Sequence, residues 1–358
     1  MSDQDEILLG REGGLATVTI NRPQALNALT LANYRRLDPA LREWAADPSV
    51  YAVAVRGAGD RAFCAGGDVR AVYEAGRGIS GDPELTAVFF REEYELIRLI
   101  HQFPKPYFAV IDGITMGGGA GISVNGAYRV ATERTLFAMP ETGIGLFPDV
   151  GATRFLNRCP GHVGRYLGLT GARVQTADAL YCGFATHVVN RDSTDALLDE
   201  LSGGHPPTED CLRLFAVDPG PAPLAALQPA IDRCFAGTSV EAILNALAAE
   251  SAGGEAAEWA EEARAGLLAK SPTSLKITLR QLTIGRDYDL HAALALEYRL
   301  TQHVMAGHDF YEGVRAMLID RDRKPQWRPA TLAEVSDGMV DSYFAPIGDR
   351  ELRFASVL

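Results

Sequence analysis

Hydrophobic residues in the first half of the chain occur in short runs that predict β-strands. Residues 15–20 read LATVTI, in which apolar and polar side chains alternate as in a strand that buries one face. Residues 52–57 (AVAVRG), 107–113 (YFAVIDG) and 128–132 (YRVAT) are rich in β-branched and aromatic residues, as buried strands are. The segment 183–189 (GFATHVV) predicts a last short strand.

Longer segments repeat apolar residues every three or four positions and therefore predict amphipathic helices. One such segment lies between residues 31 and 44, and a second, FFREEYELIRLIHQF, covers residues 89–103. In the second segment Phe90 and Tyr94 lie on one apolar face, while Glu93 lies on a flank. Helices between strands predict an α/β protein.

Beyond residue 190 the pattern becomes helical almost throughout. Helix-period segments cover residues 192–201, 239–250, 255–268, 271–282 and 290–305. Breakers rich in glycine and proline separate some of them, at 203–207 (GGHPP) and 218–223 (DPGPAP). The chain is therefore expected to form an α/β region over residues 1–200 and a mostly helical C-terminal region over residues 201–358.

The composition is that of a globular protein with a sizeable core. The chain has 358 residues, of which 47% are hydrophobic and 22% charged, which permits one large or two closely packed domains. Its formal net charge of -12 argues against a nucleic-acid partner, because binding nucleic acid needs clustered positive charge. No uncharged apolar run approaches the roughly 20 residues that span a bilayer, so no membrane partner is expected.

The N-terminus and the cysteines bear on the cellular compartment. The first 14 residues carry acids and no long apolar run, so the sequence predicts neither a secretory signal nor a transit peptide. Its 5 cysteines form no CxxC pair, which argues against a zinc site and a disulfide framework. These observations predict a reduced, cytoplasmic protein without a bound metal.

Two glycine-rich loops are the candidate chemistry of this chain. The triple glycine Gly117–Gly119 leaves the backbone bare, so that its amides can approach a ligand closely. The segment FCAGGDVR at residues 63–70 offers a second set of such amides. Two amides directed at one oxygen form an oxyanion hole. Neither a dinucleotide-binding fingerprint nor a P-loop follows the triple glycine, because the later glycine or Gly-Lys-Ser/Thr is missing.

Four motifs, read in order between Asn21 and Arg328, resemble the crotonase superfamily, also called the enoyl-CoA hydratase/isomerase family. They are FCAGGDVR, FFREEY, ITMGGGAG and MPETGIGLFPDVG, and together they are most similar to its 3-hydroxyisobutyryl-CoA hydrolase branch. The resemblance implies a spiral of repeated ββα turns and an acyl-CoA substrate. It also implies that the thioester oxygen lies between the amides of Gly67 and Gly118.

The resemblance implies two catalytic carboxylates, Glu141 and Asp149, in addition to the two glycine amides. Hydratases of the family carry a glutamate two residues after the triple glycine, where this chain has Gly121, but the later Pro-Glu pair is retained at Glu141. Asp149 stands where hydratases carry a glycine. Judged locally, Glu141 is a turn carboxylate, and Asp149 equally well caps a helix that begins near Gly151.

Further residues are expected to bind the substrate. Glu93 matches a substrate-contacting position of the hydrolases, although a charge on such a helix is usually only solvated. The other expected contacts are Ala65, Gly66, Asp68, Val69 and Gly117. By itself, the Gly66-Gly67-Asp68 sequence is more typical of a turn followed by a helix cap. Lys276, Arg280 and residues 321–328 are candidate contacts for CoA phosphates, or simply a solvated basic surface.

The resemblance thus predicts hydrolysis of 3-hydroxyisobutyryl-CoA to 3-hydroxyisobutyrate and CoA, a step of valine breakdown. No cofactor is expected, since CoA is part of the substrate. Because members of the family commonly form trimers or pairs of trimers, the resemblance implies a homo-oligomer, either a trimer or a hexamer. Two alternatives remain open: an enoyl-CoA hydratase or isomerase with a single glutamate, and a non-catalytic CoA-binding protein of the same fold.

Overall fold

The computed structural model of the chain describes residues 3–203 and 209–354. The predicted breaker at 203–207 therefore lies mostly outside the described residues. Within them, ten strands form two sheets. The strands are β1 (Ile7–Glu12), β2 (Leu15–Ile20), β3 (Ala52–Gly57), β4 (Ala62–Cys64), β5 (Tyr107–Ile111), β6 (Ile114–Met116), β7 (Tyr128–Ala131), β8 (Leu136–Ala138), β9 (Val174–Gln175) and β10 (His187–Val188).

Helices make up most of the remaining described chain, and short 3-10 turns join them. The first eight are α1 (Asp3–Glu6), α2 (Leu31–Ala46), α3 (Val69–Gly76), α4 (Leu85–His101), α5 (Gly118–Val124), α6 (Ala152–Phe155), α7 (Val163–Thr170) and α8 (Thr176–Tyr181). The others are α9 (Thr194–Ser202), α10 (Glu209–Phe215), α11 (Pro223–Phe235), α12 (Val240–Ser251), α13 (Ala257–Leu268), α14 (Pro272–Ile284), α15 (Leu290–Met305), α16 (Asp309–Val314) and α17 (Asp337–Tyr343).

The two sheets are built together by a repeated strand, strand, helix unit. The first strand of each unit joins a six-stranded sheet of order β1-β2-β3-β5-β7-β10, and the second joins a four-stranded sheet of order β4-β6-β8-β9. Successive units stack in parallel, as the pairings of β3 with β5 and of β4 with β6 show. This is the predicted repeat, and it brings equivalent loops of successive units side by side.

The six-stranded sheet separates two hydrophobic clusters. The smaller cluster joins sheet residues such as Phe108 and Val130 to leucines of α9 and α10. The larger cluster contains Val53 and Val55 from the other face of β3 and extends through α4 to the buried residues of α11–α15. Helices from beyond residue 200 therefore pack directly on the first part of the chain, while the division into two regions at that residue stays a prediction.

Several element bounds agree with the sequence pattern, and the last predicted strand is much shorter than expected. The strands β2 and β3 cover the predicted residues 15–20 and 52–57. The last predicted strand, at 183–189, is reduced to the two residues of β10, because Phe184 and Ala185 instead turn back onto Ala179 through their backbone amides. None of the described helices has the length and apolar composition required to cross a bilayer.

Candidate active site

The parallel pairing of β4 with β6 places the two glycine loops next to each other. Each loop follows the carboxyl end of its strand, and these ends meet at one edge of the sheet. A Cβ atom added to Gly118 would lie 3.1 Å from the amide nitrogen of Gly67. Gly66 has a φ of 121° and Gly117 a φ of 48°, conformations that side-chain-bearing residues rarely adopt. The structure thus brings together the two loops that the sequence singled out.

The amides of Gly67 and Gly118 are both free to donate. Gly67 lies in a bridge with Leu29 that uses the carbonyl of Gly66 and the amide of Asp68, and so leaves its own N–H unused. Gly118 is the first residue of α5, where an N–H has no acceptor within the helix. Neither nitrogen donates to another group of the described residues. Two unpaired donors therefore lie side by side at the sheet edge.

Glu93 points from α4 into this region and not into solvent. Its side chain is only 2% exposed, whereas the neighbouring Glu92 forms an ion pair with Arg35 at the surface. The hydroxyl of Tyr34 donates to Oε1 of Glu93 over 2.6 Å, and a Cβ atom added to Gly118 would lie 2.6 Å from the same oxygen. Burial, followed by the charge of Asp149, raises the pKa of Glu93 well above its ordinary value.

Glu141 begins the 3-10 turn Glu141–Ile144 that follows β8, on the other side of the triple glycine. A Cβ atom added to Gly117 would lie 3.4 Å from its Oε1. Its Oε2 is buried and has no hydrogen-bond partner among the described residues. Burial, and then the charge of Asp149, raises the pKa of Glu141 well above its ordinary value, while Lys270 opposes this shift. One oxygen of this carboxyl group is therefore available to a ligand or to water.

Asp149 lies in the turn between Pro148 and α6 and is buried. The hydroxyl of Tyr94 donates to its Oδ2 over 2.6 Å, which lowers the pKa, but burial outweighs this effect and raises the pKa to about 6. Asp149 does not cap α6 with its side chain. The amides at the start of that helix donate instead to Glu297, a residue of α15.

Four buried carboxyl groups therefore share one region of the core. Asp149 contributes to the raised pKa of Glu93, Glu141 and Glu297, and burial is the first cause for each. Burial raises the pKa of Glu297 to about 8. Because like charges in a medium of low polarity repel strongly, these groups cannot all be ionised at neutral pH. The arrangement suits acid and base chemistry at a carbonyl group.

The remaining predicted contacts line the loop before α3. Asp68 caps α3 by accepting from the amide of Ala71, and it also forms an ion pair with Arg22 at 3.1 Å. Val69 begins the helix, and Ala65 donates its amide to the carbonyl of Leu26. The turn and the helix cap that the Gly66-Gly67-Asp68 sequence predicts by itself are therefore present. Contact of these residues with a substrate stays a prediction.

Two basic residues of the C-terminal region that were candidates for CoA contacts have acidic partners. Lys276 pairs with Glu241 at 2.8 Å, and Arg280 pairs with Asp341 at 3.1 Å, which satisfies the charges of both candidate CoA contacts within the protein. In the segment 321–328, the amide of Arg328 donates to Asp309, a residue whose carbonyl packs against Gly145. That segment therefore approaches the turn that follows Glu141.

The structure adds three residues to the site that the sequence pattern assigned only to packing or passed over. The sequence pattern assigns Tyr34 and Tyr94 to apolar helix faces, yet each donates a hydrogen bond to a carboxyl group of the site. Glu297 is fully buried within α15. A signal for Glu297 exists in the sequence, because it stands three positions after Leu294 in the apolar stripe of an amphipathic helix.

Two sheets wound from ββα turns, with paired glycine loops at one edge, define the crotonase class of fold. A model of the enoyl-CoA hydratase/isomerase family matches residues 15–344, and the chain therefore belongs to that family. Solved structures confirm the predicted fold. A carnitinyl-CoA dehydratase from Mycobacterium thermoresistibile superposes with a TM-score of 0.91 at 40% identity, over 98% of this chain and 99% of that chain. An enoyl-CoA hydratase from Rhodobacter sphaeroides superposes with a TM-score of 0.89 at 39% identity, over 98% and 100%.

Curated relatives are named as hydrolases and not as hydratases or dehydratases. The 3-hydroxyisobutyryl-CoA hydrolase, mitochondrial, of Xenopus laevis is 46% identical over 355 residues, which are 97% of this chain and 90% of the relative. The human protein of the same name is 42% identical over 359 residues, or 98% and 91%. These relatives confirm the predicted branch of the family. Because they are named as mitochondrial, the predicted cytoplasmic location is wrong: the absence of a recognisable targeting pattern did not identify the compartment.

Proposed function

We propose that this protein hydrolyses the thioester of 3-hydroxyisobutyryl-CoA to yield 3-hydroxyisobutyrate and CoA. The observation that carries the proposal is the buried Oε2 of Glu141, which has no hydrogen-bond partner among the described residues. The same carboxyl group lies against Gly117, the neighbour of Gly118, whose amide and that of Gly67 are free to donate. Similarity over nearly the whole chain to relatives named as hydrolases of this substrate supports it. The proposal includes the role in valine breakdown that the family resemblance implies.

The two amides bind the thioester oxygen in the proposed mechanism. Attack on the carbonyl carbon moves negative charge onto that oxygen, and the N–H groups of Gly67 and Gly118 stabilise the charge. Each donor of such a pair typically contributes about 3–4 kcal/mol in a site that excludes water. Because both loops are fixed by backbone hydrogen bonds, these donors need no rearrangement when the charge develops.

Glu141 directs the attack. As a general base it removes a proton from water while the water oxygen bonds to the carbonyl carbon; the C–S bond then breaks and the CoA thiolate takes up a proton. As a nucleophile, its carboxylate displaces the thiolate and forms an anhydride, which water then opens to give the acid and free Glu141. Both routes require an ionised Glu141, and Asp149 orients this residue or its water.

Glu93 and Asp149 are the candidates to bind the 3-hydroxyl group of the substrate. Tyr34 and Tyr94 fix one oxygen of each carboxyl group, so that the second oxygen is held in a defined direction. A buried carboxyl group that accepts from a substrate hydroxyl favours a 3-hydroxyacyl chain over a plain acyl chain, because the plain chain leaves the carboxyl group unpaired.

Hydration of an enoyl-CoA is the second candidate, since both solved relatives with high similarity are described as a hydratase or a dehydratase. The surroundings of Gly121 weigh against it. A Cβ atom added there would lie 2.7 Å from Ile97 and 2.8 Å from Val150, so the space that a glutamate needs is filled by aliphatic side chains. A hydratase would then have to recruit another carboxyl group, for which Glu93, close to Gly118, is the candidate.

Release of free CoA thiol from 3-hydroxyisobutyryl-CoA, compared with loss of enoyl absorbance from crotonyl-CoA, tests the proposal. Hydrolysis predicts thiol release without hydration, and hydration without thiol release contradicts it. A Glu141→Ala variant distinguishes hydrolysis from the non-catalytic alternative. An enzyme should lose thiol release with this carboxyl group, whereas a protein that only binds CoA shows no thiol release that depends on it. Glu92→Gln, at an exposed ion pair on α4, is the matched control.

A further inference from the structure

A buried carboxyl group of the C-terminal region holds the turn that carries Asp149. Oε2 of Glu297 accepts a hydrogen bond of 2.7 Å from the amide of Gly151, and its Oε1 accepts one of 2.8 Å from the amide of Thr153. These amides lie two and four positions after Asp149. From this geometry we infer that Glu297 is a positioning residue, which fixes Asp149 in the site without touching the substrate.

The turn has a backbone conformation that needs such support. Val150 has a φ of 56° and Gly151 a φ of 91°. A β-branched residue rarely adopts a positive φ, and such strain persists only where the surroundings enforce it. The conformation serves the site in two ways: Asp149 faces Tyr94, and the side chain of Val150 fills the space beside Gly121.

Hydrogen bonds fix the turn on both sides of Asp149. Gln281 donates to the carbonyl of Pro148 over 2.7 Å, and Asn125 donates to the carbonyl of Val150 over 3.0 Å. Those two side chains hold carbonyl groups, whereas Glu297 accepts from the amides of Gly151 and Thr153. Without Glu297, these two amides lose their side-chain acceptor, and among the described residues only the carbonyl contacts would oppose relaxation of the strained turn.

The chemistry of the contact requires a carboxyl group. Two main-chain N–H groups point at one side chain, and each oxygen of the ionised Glu297 accepts one hydrogen. These contacts favour the ionised form and so oppose the rise in pKa that burial causes. A glutamine of the same size has a single acceptor oxygen, and its NH₂ group would face an N–H donor. Glu297 is fully buried, so water cannot replace the lost acceptor. Glu297→Gln therefore removes the support while keeping the volume of the side chain.

A double-mutant cycle with Asp149→Asn tests this role, which rests on the proposed hydrolysis. Glu297→Gln alone is expected to lower kcat about 100-fold, the typical effect of a misplacement of about 1 Å, with KM changed less than about threefold. In the Asp149→Asn background, the same substitution is expected to lower kcat by a further factor of less than about three. Two changes that act through one group are not additive in free energy.

Asp178→Asn is the matched control. Asp178 is also a buried carboxyl group, and it accepts from the amide of Leu224 at the start of α11, a helix outside the site. Its substitution is expected to lower the melting temperature and to leave kcat within about twofold of the wild type, as for changes without a shared partner. Glu297→Asp keeps both acceptor oxygens and is expected to recover part of the lost kcat.

Multiplicative losses of kcat in the double variant, or an unchanged kcat in Glu297→Gln, would overturn the role of Glu297. If Glu297→Gln does not fold, Glu297→Asp carries the same cycle, and full multiplication of its loss of kcat with that of Asp149→Asn overturns the role. Failure of the proposed function is distinct, because it appears in the wild type as the absence of thiol release. If the wild type releases thiol and the two losses of kcat multiply in the double variant, only the positioning role is contradicted.

Discussion

The hydroxyl oxygen of Tyr34 lies 2.6 Å from Oε1 of Glu93, and both side chains are almost fully buried. Tyr34 belongs to α2 and Glu93 to α4, so the packing of two helices sets the direction of this carboxyl group. Among the described residues, no group donates a hydrogen bond to its Oε2. The contact orients one oxygen of Glu93 and leaves the other free to accept, as the proposed contact with a substrate hydroxyl requires.

Glu93→Gln is expected to weaken discrimination for the 3-hydroxyl group. The amide has the size of the carboxyl group but accepts less strongly, so the ratio of kcat/KM for 3-hydroxyisobutyryl-CoA to that for isobutyryl-CoA should fall about tenfold or more, since hydrogen-bonding sites discriminate through such contacts. Thiol release with both substrates measures the ratio. Glu92→Gln, one position away, should leave it unchanged, and an unchanged ratio in Glu93→Gln would remove Glu93 from substrate recognition.

Gly118→Ala is expected to reduce hydrolysis strongly. The added Cβ atom would lie 2.6 Å from Oε1 of Glu93 and 3.1 Å from the amide nitrogen of Gly67, so the two donors must move apart. Loss of one donor of such a pair costs about 100-fold or more in kcat. Gly253→Ala is the control, because nothing lies within 4 Å of the added atom. Normal kcat in Gly118→Ala would show that these amides do not bind the oxyanion.

Gly121→Glu is expected not to create a hydratase. The new side chain would collide with Ile97 and Val150, and Val150 belongs to the strained turn next to Asp149. Overpacking of this kind typically costs about 1–3 kcal/mol of stability. We therefore expect a lower melting temperature, less thiol release and no hydration of crotonyl-CoA. Hydration by this variant at a rate near that of thiol release in the wild type would show that the pocket can be converted by one residue.

The pH dependence of hydrolysis is expected to follow Glu141. Burial raises its pKa above the ordinary carboxyl value of about 4.3, and only the ionised form can act as base or nucleophile. The value of kcat/KM should therefore fall as the pH is lowered through this raised pKa. Lys270 lowers the pKa of Glu141 by its positive charge, so Lys270→Met should move the acidic limb to higher pH. A pH profile of both proteins measures the shift, and a limb at the ordinary carboxyl pKa, or a shift to lower pH, contradicts the assignment.

Repeating patterns in the sequence predicted much of the fold, and short elements were missed for a physical reason. Strand β2 and helix α15 agree with their predicted bounds because each is long enough to show its period. The three-residue strands β4, β6 and β8 show no period, so the pattern did not identify their residues, although the family resemblance implied a second strand in each turn. Helix α5 begins in the triple glycine, where low helix propensity favours a loop, and tertiary packing overrides that preference.

The candidate site was predicted in part. The motifs located Gly67, Gly118 and Glu141, because glycine loops and a Pro-Glu pair are visible in the sequence itself. The partners of Glu93 and Asp149 are tyrosines on apolar helix faces, and a periodic pattern cannot tell a packing tyrosine from one that donates a hydrogen bond. Glu297 lies 148 positions after Asp149 in the chain, and only the folded structure brings helix α15 to the turn that carries Asp149.

A crystal structure of the Glu141→Gln variant with 3-hydroxyisobutyryl-CoA tests the central claim most directly, because the variant should bind the substrate without turning it over. We expect the thioester oxygen about 2.7–3.1 Å from the amide nitrogens of both Gly67 and Gly118. The side chain at position 141, or a water that it holds, should lie about 3–3.5 Å from the carbonyl carbon. A thioester oxygen bound away from the two amides, or a carbonyl carbon out of reach of position 141, would contradict the proposed hydrolysis.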